Sequence, residues 1–181
     1  MTEQQIILAT QNWLTSFVIA YNICPFAERE HQRGAIRYRV APDATLENAL
    51  EALYLECEYL DSHPETATTL VIFPASFADF DDYLDLVAIA EQLLLDRGYE
   101  GTYQLASFHP EYRFADSETD DAANYTNRSP YPMLHIIREA DLEQALAHYP
   151  DPESIPDRNI RITRELGLQK LQGLVAAAYS S

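Results

Sequence analysis

Positive charge is scarce in this sequence. One lysine, Lys170, stands among twelve basic residues, the others being arginines, against 29 acidic residues, for a net charge of −17. A field of that sign repels phosphate backbones, so general nucleic-acid binding is not expected. Cysteine is scarce too: Cys24 and Cys57 are too few for a disulfide framework. No apolar run approaches the ~18–20 residues of a membrane span. The N-terminal MTEQQ has no basic region of the kind that opens a secretory signal. These absences point to a cytoplasmic protein with reduced thiols and no membrane or nucleic-acid partner. Metal-binding spacings such as H-x-x-x-H, C-x-x-C or an EF-hand loop are missing as well. Neither a cofactor nor an oligomeric state leaves a signature.

What is present is globular: 47% hydrophobic residues, with twelve Tyr and seven Phe. There are no repeats, low-complexity tracts or linkers, so residues 1–181 read as one domain. Thr2 and Gln5 fit a capping box, followed by Ile6, Trp13, Leu14, Phe17 and Tyr21 at helical spacing. Pro25 ends this first helix near Asn22. Ala35 to Val40 alternates as a strand, and Leu46 to Leu60 forms a helical stripe that includes Cys57, a core residue by position. Thr68 to Phe73 reads as a buried strand, Phe77 to Arg97 as a helix with Gly98 as C-cap, and Thr102 to Phe108 as a third strand. Met133 to Ile137 is a fourth strand. A second capping box at Asp141 and Gln144 opens a helix to about Tyr149. One or two final helices follow, broken at Gly167 or Gly173. The order α-β-α-β-α-β-loop-β-α-α predicts an α/β (or α+β) fold. It implies a small mixed, mainly parallel sheet of about four strands packed with helices. The fourth strand follows a loop, which suits antiparallel pairing.

Three strands end alike, at Val40-Ala41-Pro42, Phe73-Pro74 and Phe108-His109-Pro110. If parallel, they share the sheet edge where open α/β sheets hold ligands. The segment from His109 to Pro132 then leaves that edge with no periodicity, and aperiodic stretches of such length are usually functional. His109 suits a general acid or base, a metal ligand, or a strand-end cap bonded to loop backbone. Arg113, Arg128 and Arg138 offer planar forks for a carboxylate or phosphate, with Asn124 and Asn127 to orient it. The same arginines have acidic neighbours that can consume them in structural pairs. His135 shares a strand face with Met133 and Ile137, as a second site group or as a half-buried sheet histidine. Cys24 is a candidate nucleophile if Pro25 opens a new helical turn and a small buried thiol otherwise.

The expected function is therefore an enzyme acting on a small anionic metabolite through residues 107–138, with His109 as acid–base group and Cys24 as a possible nucleophile. The alternatives are a non-catalytic ligand- or protein-binding module using the same loop, and a metal-dependent site with His109 and His135.

Long stretches carry a further resemblance. Asn22-Ile23-Cys24-Pro25-Phe26-Ala27, Ser107 to Asp116 (SFHPEYRFAD), Asn124 to His135 (NYTNRSPYPMLH), His148 to Pro152 (HYPDP) and Ile155 to Asn159 (IPDRN) resemble a bacterial family known as domain of unknown function 1415. The resemblance implies a bacterial cytoplasmic protein. It implies no activity and transfers no catalytic residue.

Overall fold

The computed structural model of the chain describes residues 1–147 and 149–180. Helix α1, Glu3–Trp13, is capped as expected: the Thr2 hydroxyl accepts from Gln5 N–H while the Gln5 side chain accepts from Thr2 N–H. The chain then widens into a π-helix, Leu14–Ile19, which the periodicity does not reveal. An i→i−5 bond runs from Ala20 N–H to Thr15 O at its end, and Ile23 N–H bonds Val18 O across the turn that follows. A left-handed turn at Asn22, with φ +50°, redirects the backbone into a short helix α2, Ala27–Gln32.

Strand β1, Ile36–Val40, helix α3, Leu46–Ser62, and strand β2, Thr68–Ile72, follow the sequence pattern closely. Helix α4, Phe80–Asp96, starts later than the apolar pattern predicts. The Asp79 carboxylate takes the amides of Asp81 and Asp82, and Phe77 sits outside the helix at φ +58°. A short capping side chain satisfies the orphan amides of a first turn, and here it sets the boundary.

Strand β3, Tyr103–Phe108, leads into the long segment, whose one helical piece is a 3-10 turn at Ala122–Thr126. Strand β4, Met133–Arg138, runs straight into helix α5, Glu139–Ala147, so Asp141 lies inside that helix and not before its start. His148, placed by the sequence near its end, lies outside the described residues. Helices α6, Ile155–Leu166, and α7, Leu168–Ala178, are separated at Gly167, whose φ of +77° suits glycine. Gly173 is within α7.

The sheet order is β1-β2-β4-β3. β1 and β2 are parallel, whereas β4 is antiparallel to both β2 and β3. The sheet is thus mixed and not mainly parallel. The reason lies in the connections. The β2–α4–β3 crossover leaves a slot, and β4, returning through a loop, fills it from the opposite direction. β1, β2 and β3 still point the same way, and Val40, Ile72, Met133 and Phe108 form one row across the sheet. The three strand ends therefore share an edge, as expected.

Helices cover both faces. Val40, Leu70, Ile72 and Met133 face α1, the π-helix and α7. Val71, Phe73, Leu134 and Ile136 face α3 and α4. Among the described residues, no helix is long and apolar enough to cross a membrane.

Candidate functional site

His109 leaves β3 at the shared edge but turns inward, and it is fully buried. Its Nε2 donates to Phe77 O at 2.9 Å, and its Nδ1 accepts from Glu111 N–H at 3.0 Å. The ring packs between Phe80 and Tyr83 of α4. Burial holds its pKa below the ordinary histidine value, so the imidazole is neutral. With both nitrogens engaged, it ties the Phe77 and Glu111 loops together.

The polar side chains after it are likewise turned to backbone. Asn124, fully buried, accepts from Phe114 N–H through Oδ1 and donates to Glu118 O through Nδ2. Asn127 Nδ2 donates to Ser107 O. Arg128 donates to the carbonyls of Tyr112 and Thr119, and its guanidinium lies 4.8 Å over the Tyr125 ring. Arg138 sits at the other end of β4, where it caps α3 through the carbonyls of Leu60 and His63 and also reaches Thr66 O. Tyr125 and Tyr131 are core residues, so the segment presents no flat aromatic patch built on them.

Arg113 and Arg128 do come together. They line an open cleft of about 400 Å³ with Phe80, Thr119, Asp79, Asp81 and Glu111. Neither forms an ion pair with a carboxylate of a described residue. The cleft mixes both signs of charge, and His109, fully buried against Phe80, does not line it.

Cys24 and His135 meet elsewhere. Both border a partly enclosed cavity of about 110 Å³ between the sheet and the first helical layer. Its floor is Ile36, Thr68, Leu70, Ala106, His135 and Ile137. Its roof comes from Trp13, from Leu14 and Val18 of the π-helix, and from the turn holding Cys24, Phe26 and Ala27. Pro25 lies in a turn closed by Ala27 N–H to Cys24 O, but the helix that follows begins at Ala27 with Phe26 as its N-cap, so Cys24 does not cap it. The nearby amides of Phe26 and Ala27 favour thiolate, but burial dominates and pushes the thiol's pKa up. Cys24 therefore rests as a neutral thiol. Cys57 is fully buried among α3 and α4 residues, in the core as expected.

His135 Nε2 lies 2.6 Å from Thr68 Oγ1, and that hydroxyl donates to Ile136 O. A threonine has one hydroxyl proton. Since Ile136 O takes it, His135 must donate from Nε2, which leaves Nδ1 as a bare acceptor. Burial alone lowers the His135 pKa to about 4, so the ring is neutral. The two histidines expected to converge face opposite sides of the sheet, His135 toward α1 and His109 toward α4. Among the described residues, no group of three or more His, Cys, Asp and Glu side chains is arranged to hold a metal ion.

The family model described as "Protein of unknown function (DUF1415)" matches residues 5–173. The chain belongs to the DUF1415 family. No curated protein and no solved structure matches it.

Sequence reasoning about this DUF1415 chain missed Thr68, Trp13 and Ala106 as site residues. Thr68 reads simply as the start of a strand, and nothing local says that its hydroxyl sets a histidine tautomer 67 positions away. The π-helix was equally hidden, since Leu14 and Val18 satisfy an ordinary amphipathic pattern. The one available signal was the pairing of Ala106 with His135 implied by adjacent strands, which would have placed a small residue beside the ring.

Proposed function

We propose that this protein binds a small, mainly apolar molecule in the cavity lined by Cys24, Thr68 and His135. The observation that carries this reading is an apolar hollow kept open at the centre of the sheet, directly under a π-helical wall. Left empty, a hollow of about 110 Å³ would cost roughly 2–3 kcal/mol at ~24 cal/mol per Å³, which an occupant of matching shape would offset. That is a large share of an ordinary domain's stability. The π-helix, a rare conformation often found at functional sites, sets Leu14 and Val18 on the roof. An engineered apolar cavity of ~150 Å³ takes benzene, so the expected occupant is of that size. The two unpaired cysteines suit a reducing, cytoplasmic setting.

The test is an NMR and thermal-shift titration with benzene and toluene. Saturation should move the resonances of Ala106, Val18 and His135 and raise Tm. At a hundredfold excess over Kd the gain is ~2.7 kcal/mol. Ala106→Ile should fill the space, abolish binding and stabilise the free protein by about 1–2 kcal/mol. Unmoved resonances at saturating probe would remove this reading.

A second reading rests on the convergence of Arg113 and Arg128 in the open cleft. There the protein would hold a small carboxylate or phosphate without His109, which does not line the cleft and whose nitrogens are taken by backbone. Asp79, Asp81 and Glu111 in the same cleft favour a ligand that also carries a positive group. Titration with inorganic phosphate and with glycine separates the cases. Glycine should shift the Arg113 and Arg128 side-chain signals more than phosphate, and Arg113→Ala with Arg128→Ala should erase the shift. No shift from either probe ends this reading.

A further inference from the structure

Resting on the cavity reading, we infer that the ligand carries one O–H or N–H donor that His135 Nδ1 accepts, so the site selects a small neutral molecule of the phenol or alcohol type. The cavity wall is hydrocarbon and aromatic apart from the Cys24 sulfur, the Thr68 hydroxyl and the His135 ring. The Thr68 proton is committed to Ile136 O, and its lone pair to His135 Nε2–H. Nδ1 is then the one strong acceptor in the lining left without a donor from the described protein. A ligand donor would give this acceptor the partner that the described protein does not supply. The Cys24 thiol is neutral and a weak donor, so it serves as soft wall.

The sign of the site follows from the same atoms. A carboxylate would meet a bare lone pair and an uncharged ring, so an anion is rejected. An ammonium would leave water for a hydrocarbon wall with a single acceptor, which is too little compensation. A neutral donor on a ring-sized body satisfies both the volume and the acceptor. Sites built to bond a ligand hydroxyl discriminate strongly against the analogue lacking it, because the protein group is then left unpaired.

Phenol and toluene differ by one hydroxyl for one methyl and are the probes of choice. Wild-type protein should bind phenol more tightly than toluene. Phenol alone should shift the His135 Nδ1 ¹⁵N resonance in the direction of hydrogen-bond acceptance. His135→Leu should cut the phenol-to-toluene affinity ratio by about tenfold or more. Thr68→Val removes the group that pins the tautomer, keeps the shape, and should cut the ratio in the same direction. If toluene binds wild type while phenol shows no preference and leaves the Nδ1 signal unmoved, the donor–acceptor inference is overturned and the apolar cavity reading stands. If neither probe binds, the cavity reading fails and takes this inference with it. Should His135→Leu not fold, the wild-type ¹⁵N shift and the Thr68→Val ratio decide the matter.

Discussion

At the scale of single residues, the two histidines behave differently for reasons that burial alone does not supply. His109 is fully buried, His135 is half-buried, and both are neutral. His109 spends both nitrogens on backbone groups, one at Phe77 before α4 and one at Glu111 in its own flap, whereas His135 spends one on Thr68 and keeps the other bare. The His135 pKa of about 4 lies below the value of 6.5 for a free histidine. Between those values the unfolded chain binds a proton that the folded chain refuses. Stability must therefore fall as pH drops from about 6.5 to about 4, by roughly 3 kcal/mol in total. His135→Leu should flatten that limb of the urea-unfolding midpoint against pH. The remaining loss at lower pH belongs to carboxylates such as Asp121, held down to about 2 chiefly by the Arg164 fork. An unchanged limb in the variant would mean that other groups, His109 among them, carry the acid sensitivity.

At the scale of elements, the π-helix is the feature with the clearest consequence. Six residues at wider pitch displace Leu14 and Val18 relative to an α-helical continuation and place them on the cavity roof. Deleting the exposed Ser16 should let the segment revert to α-helical pitch. Helix content by circular dichroism should be nearly preserved, and toluene binding should drop at least tenfold. Retained affinity would show that the roof does not depend on the π geometry. The flap from His109 to Pro132 illustrates the opposite case. Its density of Asn, Thr and Arg invited a ligand, and in the structure Asn124, Asn127 and Arg128 each bond loop or strand backbone. A chain without regular ladders must satisfy its buried amides and carbonyls with side chains.

At the scale of the whole molecule, the net charge of −17 acts against compaction. Raising ionic strength from about 0.01 to 0.15 M shortens the screening length from about 30 to 8 Å. Tm should rise, by roughly 2–4 °C for each kcal/mol of repulsion relieved. A falling Tm would show that attractive pairs such as Arg37–Glu56 outweigh the general repulsion. Two core layers on one sheet, with helices on each side, leave the cavity in the first layer and the polar cleft at the strand-end edge. The cleft touches the α3–α4 core only through Phe80, and the cavity lies on the opposite face of the sheet.

The amino-acid sequence by itself determined the elements whose signals are short-ranged. These are the Thr2–Gln5 capping box, the strands halted by Pro42 and Pro74, the Gly98 cap and the break at Gly167. Each depends on a residue and its neighbours within about one helical turn. It also placed the three strand ends on one edge. Local signals failed where competition was local as well, as when the Asp79 side chain moved the start of α4. Only the tertiary structure decided that β4 lies between β2 and β3, because a strand's partner is chosen by what closes the sheet around it. That choice set Thr68 against His135, turned His109 to the other face, and brought Cys24 over the cavity from a turn far away in the chain. Such juxtapositions depend on the global packing optimum, and no short window of sequence contains them.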